Sequence, residues 1–493
     1  MNLTELIGPA TASPTAAQLD DREIAGITAD SRQVRQGFLF AALRGTQSDG
    51  RTFAGEAAKK GAVAILTDDD AALVLDQDSR RRIAIITDPN PHRRLALLAA
   101  RFCARQPRTI AAVTGTNGKT SVAHFTREIW AALGYRAASL GTLGLVSPAG
   151  RRGGSLTTPD PVGLHHELAI LAEDGIDRVA IEASSHGLAQ FRLDGVRIGA
   201  AAFTNLTRDH LDYHGDMASY RAAKDRLFTD LLPPDGAAIL NADSPEFERL
   251  AALCREREHR VIGYGAAAST ELRLLDRNPT HDGQHVGLAV FGDRYDIDLP
   301  LVGDFQAMNV LAALGIAIAT GAPVSEAVAT LSRLSGVPGR MQWIGGTAAG
   351  AAVFVDYAHT PDALATVLAA LRPHAKGQLA IVFGAGGDRD RGKRPLMGRV
   401  AAEWADLVYV TDDNPRGEAP GEIRRAILAA APTAVEIGDR RLAIEAAIAE
   451  LRAGDVLVIA GKGHETGQII GHEVLPFDDA LVAREALAVT AGR

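Results

Sequence analysis

Eight short apolar runs constrain the fold of this chain more than any other feature of its sequence. In chain order they are VAILT, IAIIT, IAAVTG, VAIEA, VFVDYA, LAIVFG, LVYVTD and VLVIAG. Continuous apolar runs of this length are typical of strands that are buried on both faces of a parallel sheet. Stretches with helical periodicity lie between them, such as residues 121–133 and 361–371. This alternation predicts an α/β fold that is repeated in several units.

The length and two breaks in the pattern predict three domains. A chain of 493 residues is too long for one ordinary domain. The segment TDPNPHRR is a break rich in proline and asparagine, and LSGVPGRMQ is a second break around two glycines and a proline. We therefore expect an N-terminal domain over residues 1–88, a central domain over 89–336 and a C-terminal domain over 337–493.

Composition and charge exclude several classes of protein. The net charge of -8 and the pI near 6.0 argue against a nucleic-acid-binding protein, which usually carries a basic surface. The two cysteines, Cys103 and Cys254, are too few for a disulfide framework or a cysteine-based zinc site. The first residues do not resemble a signal peptide, and residues 305–325 are interrupted by polar residues and glycines, so they predict a buried helix rather than a membrane span. We expect a cytoplasmic protein, and a monomer.

The segment IAAVTGTNGKTSVAHF predicts a phosphate-binding loop. An apolar strand ends at Thr114, the residues GTNGKT follow, and a helix opens at Thr120 or Ser121. Glycines allow backbone N–H groups to surround phosphate oxygens, and the helix N-terminus adds a positive dipole. Lys119 can reach the outer phosphates, and the hydroxyl of Thr120 can bind Mg²⁺. The alternative, a glycine-rich helix start without a ligand, is disfavoured by the strand–loop–helix context.

Three polar blocks follow the loop, and each has an ordinary interpretation when it is taken alone. They are SLTTPD, IEASSHGLAQFRLDG and FTNLTRDHLDYHGDMASYRAAKDRLF. A Ser-Ser-His sequence is compatible with a helix cap, and a lysine on a helix, such as Lys224, is most often solvated. His210 and His214 have the spacing of a metal-binding pair, but no glutamate follows His210 as a zinc protease requires.

Together, in this order behind the loop, the blocks resemble the Mur ligase superfamily, which comprises ATP-dependent amide-forming ligases and includes folylpolyglutamate synthetases. The resemblance covers nearly the whole chain. It implies three α/β domains, of which the central one is a P-loop, parallel-sheet ATPase-like domain and the C-terminal one is Rossmann-like. It implies ATP as co-substrate, Mg²⁺, and a lysine that is carbamoylated by CO₂. The residues that the resemblance assigns to ATP are Gly115, Thr116, Asn117, Gly118, Lys119, Thr120, Ser121 and Asn309.

The resemblance also assigns catalytic roles and a metal site. The catalytic residues are Lys119, Glu182, His210, Lys224 in its N6-carboxylated form, and Arg340. The magnesium ligands are Thr120, Glu182, His210 and the modified Lys224.

The N-terminal block ITADSRQVRQGFLFAALRGTQSDG resembles the uridine-diphosphate-binding domain of the family members that add the third peptide residue. This implies a UDP-muramyl dipeptide as one substrate. The residues implied for its binding are Ala29, Ser31, Thr46, Gln47, Ser48, Thr157, Thr158, Ser184, Gln190 and Arg192.

Three polar loops in the C-terminal part follow the carboxyl ends of three apolar strands. Such strand ends share one crevice in an open α/β sheet, and ligands bind there. The family places the incoming amino acid at these loops, and the sequence DNPR at residues 413–416 is the form found in members that use meso-2,6-diaminopimelate. The residues implied for this ligand are Arg389, Asp413, Asn414, Pro415, Arg416, Gly461 and Glu465. Guanidinium groups there suit a carboxylate, and carboxylates suit an ammonium.

The implied activity is an ATP-dependent amide ligation that adds meso-2,6-diaminopimelate to the D-glutamate of the UDP-muramyl dipeptide through an acyl phosphate, a step of peptidoglycan precursor synthesis. Three alternatives remain. The L-lysine-adding counterpart carries a different tetrapeptide at residues 413–416. A folylpolyglutamate-type ligase lacks a uridine-diphosphate domain. A non-catalytic sensor of ATP or of cell-wall precursors has no need to retain all of Lys119, Glu182, His210 and Lys224.

Overall fold

The computed structural model describes residues 1–8, 22–45, 48–154, 156–280 and 282–491, without the side chains of Asp212 and Ala491. The chain forms two compact units. The first consists of Met1–Lys119 and Gly134–Ile262, and the second of Thr120–Leu133 and Gly263–Arg493.

The helices and strands are numbered here in chain order. The helices are α1 Leu3–Ile7, α2 Ala54–Lys59, α3 Gln77–Arg82, α4 Pro91–Cys103, α5 Lys119–Ala132, α6 Pro161–Glu173, α7 Ser185–Ala189, α8 Leu211–His214, α9 Met217–Arg226, α10 Phe247–Glu256, α11 Asp304–Ala319, α12 Val324–Ala329, α13 Pro361–Leu371, α14 Lys393–Trp404, α15 Pro420–Leu428, α16 Arg440–Glu450 and α17 Asp479–Ala491. The strands are β1 Gly26–Thr28, β2 Phe38–Ala41, β3 Ala64–Thr67, β4 Ala84–Thr87, β5 Thr109–Thr114, β6 Ala137–Gly141, β7 Gly144–Ser147, β8 Gly150–Arg152, β9 Arg178–Glu182, β10 Ile198–Phe203, β11 Ala237–Asn241, β12 Arg260–Gly265, β13 Leu272–Pro279, β14 Gln284–Val290, β15 Asp293–Leu299, β16 Gln342–Gly346, β17 Ala352–Asp356, β18 Leu379–Phe383, β19 Leu407–Val410, β20 Val435–Glu436, β21 Val456–Ala460, β22 Gly467–Ile470 and β23 Glu473–Pro476.

Two sheets form the first unit. The four strands β1 to β4 pair in parallel in sequence order. In the part of the other sheet that lies wholly within this unit the order is β11-β10-β5-β9-β6-β7-β8, and the strands from β11 to β6 are parallel. The central strand β5 is therefore flanked by β10 and β9, and the carboxyl ends of all three lie at one edge of the sheet.

The second unit contains a six-stranded sheet with the order β16-β17-β21-β18-β19-β20, in which only β16 is antiparallel to its neighbour. Every residue of β17, β18 and β21 is buried. Separate apolar clusters cover the two faces of these strands, which explains their unbroken apolar sequences. The unit also contains the antiparallel strands β13, β14 and β15.

The predicted three-domain α/β fold class is confirmed. All eight apolar runs form strands of parallel pairs, and the predicted helix at residues 361–371 is α13. Helix α5 begins at Lys119, one residue earlier than expected. The stretch 305–325 contains the buried helix α11, and none of the described helices is both long and apolar enough to cross a bilayer. The domain boundaries after residues 88 and 336 stay predictions.

A fully buried ion pair holds the last helix of the second unit to the sheet. The guanidinium of Arg440 in α16 donates to both carboxylate oxygens of Asp479 in α17, at 2.7 and 2.6 Å, and both side chains are 0% exposed. Arg440 also donates to the carbonyl of Ala460, at the end of β21, at 2.9 Å. The pair therefore connects two helices to the strand that precedes Gly461.

We predict that Asp479→Asn lowers the free energy of unfolding of the second unit by about 3–5 kcal/mol, because it leaves a buried guanidinium without its counter-charge. Glu485→Gln is the matched control, since Glu485 pairs with Arg441 between the same two helices at 2.7 Å but both side chains are about half exposed. Exposed pairs contribute about 0–1 kcal/mol. Urea unfolding followed by tryptophan fluorescence reports on this unit alone, because Trp130, Trp343 and Trp404 all belong to it. Equal losses in the two variants would contradict the prediction.

Candidate active site

The phosphate loop has a backbone shape that requires glycine. It leaves β5 at Thr114, and Gly115 has a φ of +147° while Gly118 has a φ of +88°. A Cβ atom on Gly115 would lie 1.9 Å from the hydroxyl of Thr204. That hydroxyl donates to the carbonyl of Asn117 at 2.6 Å. The loop is thus fixed from the end of the neighbouring strand β10.

The side chains of the loop are also fixed. Thr116 shares a hydrogen bond with the phenol of Tyr220 at 3.1 Å, and its hydroxyl accepts the N–H of Thr207 at 2.9 Å. The ammonium of Lys119 donates to the carbonyls of Gly115 and Thr116 at 2.9 and 2.8 Å. The lysine is therefore folded over the loop, at the place where an anion would lie.

Lys224 is a buried lysine beside the same loop. Its Nζ atom donates to the carbonyl of Gly115 at 2.8 Å and lies 4.4 Å from the centre of the Tyr220 ring. Burial, together with the positive charge of Lys119, lowers the pKa of the Lys224 ammonium to about 6. The shift favours the uncharged amine, which is a nucleophile, over the ammonium cation.

Glu182 is the last residue of β9, the strand next to β5, where it lies in register with Val113. Its buried carboxylate accepts the backbone N–H of Thr142 at 2.7 Å and the hydroxyl of Thr142 at 3.2 Å. A Cβ atom on Gly141 would lie 2.0 Å from one carboxylate oxygen, so only glycine fits there. An oxygen donor is thereby held at the same sheet edge as the phosphate loop.

His210 lies in a group of aromatic side chains. It has a left-handed φ of +52°, and its half-exposed ring contacts that of His186, with 4.9 Å between centres. His214 and the rings of Tyr213 and Tyr220 complete the group. Within the described residues, no cluster of three or more histidine, cysteine or carboxylate side chains has the arrangement of a metal site.

A cavity of about 580 Å³ lies in the first unit. Of the residues predicted to bind the UDP-muramyl dipeptide, Ala29, Gln190 and Arg192 line it. The guanidinium of Arg192 is fixed by Gln190, at 2.6 Å, and by the carbonyl of Thr158, at 2.7 Å. The cavity is also lined by Asp30, His92, Asp160 and His166, which the sequence did not predict.

Other residues predicted for the same substrate lie near the strand end that carries Glu182. The hydroxyl of Thr158 donates to the carbonyl of Glu182 at 2.7 Å and shares a hydrogen bond with Ser184 at 3.0 Å. Thr157 is 3.2 Å from the hydroxyl of Thr142. Ser31, Ser48, Thr157, Thr158 and Ser184 are not among the described lining residues of the cavity. Thr46 and Gln47 lie outside the described residues.

In the second unit, the strands β21, β18 and β19 are neighbours and parallel. The three polar loops that follow them therefore share one edge, as the sequence predicted. The residues predicted for the amino acid lie on these loops: Arg389 after β18, Asp413, Asn414, Pro415 and Arg416 after β19, and Gly461 and Glu465 after β21.

Asn414 is the centre of a polar network between two of these loops. Its amide donates to Glu465 at 2.9 Å, and its oxygen accepts the ammonium of Lys462 at 3.0 Å and the N–H of Ile469 at 2.9 Å. Lys462 is fully buried and also contacts Glu465 at 3.1 Å. The network fixes the Glu465 carboxylate through its Oε2 atom.

Arg416 has the left-handed φ of +49°, and its guanidinium donates to the carbonyl of Gly387 in the loop after β18, at 2.9 Å. Its own N–H donates to Ile469 at 3.0 Å. The exposed Arg389 lies on the same loop as Gly387, and a Cβ atom on Gly386 would lie between the two arginine side chains. The two guanidinium groups therefore belong to adjoining loops.

Two further predicted residues, Arg340 and Asn309, belong to the second unit, and Asp356 of the sheet lies beside Arg340. Arg340 lies over the ring of Tyr357, 4.7 Å from its centre. Asp356, at the end of β17, accepts the N–H groups of Met341 and Ala358. Asn309 is buried in α11 and donates to Gln306 at 3.1 Å.

Three models of known protein families match successive parts of the chain. The model described as Mur ligase family, catalytic domain, matches residues 23–103, that of the Mur ligase middle domain matches 113–317, and that of the Mur ligase, glutamate ligase domain, matches 339–463. A protein of Bradyrhizobium diazoefficiens is 52% identical over 492 residues and 99% of both chains. The chain belongs to the Mur ligase family.

Two relatives of this Mur ligase carry the same name. The Bradyrhizobium protein is called UDP-N-acetylmuramoyl-L-alanyl-D-glutamate--2,6-diaminopimelate ligase, and so is a protein of Caulobacter vibrioides that is 52% identical over 95% of this chain and 96% of its own. A solved structure of a ligase with the same name superposes with a TM-score of 0.76 at 34% identity, over 99% of both chains.

Sequence reasoning missed several residues of this Mur ligase that fix the predicted ones. Lys462, Arg440, Arg394 and Glu418 all form their decisive contacts with residues of other loops or helices. Of these four residues, only Lys462 had a local signal in the sequence, because it stands directly after the predicted Gly461. The partners of the other three are 20 or more residues away, so no spacing rule identifies them.

Proposed function

We propose that this Mur ligase joins meso-2,6-diaminopimelate to the D-glutamate of UDP-N-acetylmuramoyl-L-alanyl-D-glutamate, with conversion of ATP to ADP and phosphate, in cytoplasmic synthesis of a peptidoglycan precursor. One observation carries the choice of amino acid. The DNPR turn places Arg416 at the carboxyl end of β19, against the loop that bears Arg389. We also propose that the chain has three domains, which divide after residues 88 and 336, and that the protein is a monomer.

The phosphate loop supports phosphoryl transfer without a covalent enzyme intermediate. A γ-carboxylate oxygen of the D-glutamate attacks the γ-phosphorus of ATP, and ADP leaves. The amine of diaminopimelate then attacks the acyl carbon, loses a proton, and phosphate leaves as the amide forms. Lys119 and the N–H groups after Gly115 offset the negative charge of the transferring group. We propose that Arg340 also offsets the negative charge of the transferring group.

The residues present fit Mg²⁺, which prefers oxygen donors and binds with one or two carboxylates, water and substrate phosphates. Glu182 is fixed at the sheet edge beside the phosphate loop strand by two hydrogen bonds from Thr142. A carbamate on Lys224 would supply a second carboxylate, and Thr120 and His210 would be further ligands. The ion supplies positive charge that polarises the phosphates.

We propose that Lys224 reacts with CO₂, because its amine is buried beside Gly115 and is uncharged at neutral pH. The amine nitrogen bonds to the carbon of CO₂ and releases a proton, so the amine becomes a carbamate that carries a negatively charged carboxylate. Only the unprotonated amine reacts, so carbamoylation is favoured above a pH of about 6 and is lost as the pH falls below that value.

Enzyme depleted of CO₂ at pH 5.5 is expected to lose activity and to regain it when bicarbonate is added at pH 7.5. Lys224→Ala should be nearly inactive and partly rescued by short carboxylic acids, which place a carboxylate in the vacated space. Lys376→Ala, a change at an exposed lysine, is the control and should behave as the wild type. Full activity of Lys224→Ala would show that no carbamate is needed.

The proposed reaction is tested by phosphate release in the presence of ATP and the UDP-muramyl dipeptide. Release is expected with meso-2,6-diaminopimelate and not with L-lysine at the same concentration. Release with lysine instead would identify the lysine-adding counterpart. Release that needs neither the UDP-muramyl dipeptide nor diaminopimelate but needs a folate would identify a folylpolyglutamate-type ligase, and ATP binding without any release would identify a sensor.

Arg416 is expected to determine the choice of amino acid. Diaminopimelate has a carboxylate at its far end, whereas lysine has none and leaves the arginine without a carboxylate partner. Sites that pair such a group reject an analogue without it by about 10⁴-fold or more. Arg416→Ala should therefore raise the KM for diaminopimelate strongly and leave the KM values for ATP and the UDP-muramyl dipeptide nearly unchanged, measured by varying each substrate in turn. An equal loss for all three substrates would mean that Arg416 has only a structural role.

A further inference from the structure

The loop after β18 and the loop after β19 are joined by a pair of reciprocal hydrogen bonds that the proposed reaction does not use. The carboxylate of Glu418 accepts the backbone N–H of Asp388 at 2.6 Å. The carboxylate of Asp388 accepts the backbone N–H of Gly417 at 2.9 Å. Each loop thus holds a peptide group of the other. These two carboxylates and their two bonds are called the loop clasp.

Arg394 fixes the loop clasp to the body of the second unit. It lies in α14, and its guanidinium donates to both oxygens of Glu418, at 2.8 and 3.1 Å. The side chains of Arg394 and Glu418 are only 4% and 8% exposed. Arg391 contacts the same carboxylate at 3.1 Å. The hydrogen bonds from Arg394, followed by the N–H of Asp388, lower the pKa of Glu418 to about 2, so this carboxylate stays ionised at every pH of interest.

The backbones of the two loops touch as well. The N–H of Gly387 donates to the carbonyl of Asn414 at 2.9 Å, and a Cβ atom on Gly387 would lie 1.9 Å from the carbonyl oxygen of Pro415. Asp388 and Arg416 both have left-handed φ values, +52° and +49°. Such values are unfavourable for residues other than glycine, so surrounding contacts must hold them.

We propose that the loop clasp determines specificity for the amino acid. Asp388, Glu418 and Arg394 are positioning residues, which fix Arg389 relative to Arg416. Two guanidinium groups then meet the carboxylate at the far end of the ligand. Arg389 follows Asp388 directly, and Arg416 precedes Gly417 directly, so each bond of the clasp lies one residue from a predicted ligand-binding arginine. Arginines fixed in advance lose less conformational freedom when the carboxylate binds. This inference rests on the proposed function.

The test uses the full-length enzyme with Glu418→Ala, which removes the clasp on one side, and Asp388→Gly, which removes it on the other. Glycine tolerates a left-handed φ, so the second variant keeps the backbone path without strain. Glu422→Ala is the matched control, since Glu422 is exposed in the first turn of the following helix α15. Steady-state kinetics are measured with ATP, the UDP-muramyl dipeptide, and either diaminopimelate or L-lysine.

Both clasp variants should raise the KM for diaminopimelate by about tenfold, because the ligand must then order one or two long arginine side chains when it binds. The kcat and the KM values for the other two substrates should stay within about twofold. The ratio of kcat/KM for diaminopimelate to that for lysine should fall about tenfold, because lysine has no carboxylate at this position. Glu422→Ala should match the wild type.

Three results separate the possibilities. An unchanged KM for diaminopimelate in both variants overturns the inference. Equal losses with diaminopimelate and with lysine also overturn it, because they indicate general damage to the loops. A wild-type enzyme that does not use diaminopimelate refutes the proposed function instead. If Glu418→Ala does not fold, as judged by tryptophan fluorescence, Asp388→Gly decides the question.

Discussion

The parallel alignment of buried strands is the constraint on which both candidate sites depend. Parallel neighbours place their carboxyl ends at the same edge, so residues distant in sequence become adjacent there. In the first unit this edge holds the phosphate loop after β5 and Glu182 at the end of β9. In the second unit it holds the loops after β18, β19 and β21. The apolar side chains of the strands take no part in the proposed chemistry, but the register of the strands sets the distances among the polar groups.

Burial then determines the chemical state of the groups at these edges. At Lys224, burial beside Gly115 and the charge of Lys119 outweigh the opposite charge of Asp209 and favour the neutral amine. Glu418, in contrast, receives a forked arginine and a backbone N–H, and stays ionised. One site thus holds a reactive base and the other a permanent anion, although both residues are charged in water at neutral pH.

The sequence predicted the strands, the phosphate loop and the DNPR turn because each is specified by neighbouring residues. Pro415 stiffens its turn, and Gly115 and Gly118 adopt the positive φ values that the loop requires. The contacts that orient the site could not be predicted in the same way. Lys462 meets Asn414, and Glu418 meets Arg394 and Asp388, across separate loops. Only the fold decides which loops adjoin, so a lysine or glutamate on such a loop looks solvated in the sequence.

This division between local and long-range specification separates the sheet of the second unit from the loops that follow its strands. The strands β18, β19 and β21 are buried on both faces, so most substitutions there disturb the core. The loops that follow them are constrained mainly by contacts with one another, such as the bond from Arg416 to Gly387. A change in these contacts alters where a guanidinium lies without changing the sheet below it. In the proposed reaction, selectivity for a ligand carboxylate therefore depends on how the loops are joined and not only on the presence of an arginine in the sequence.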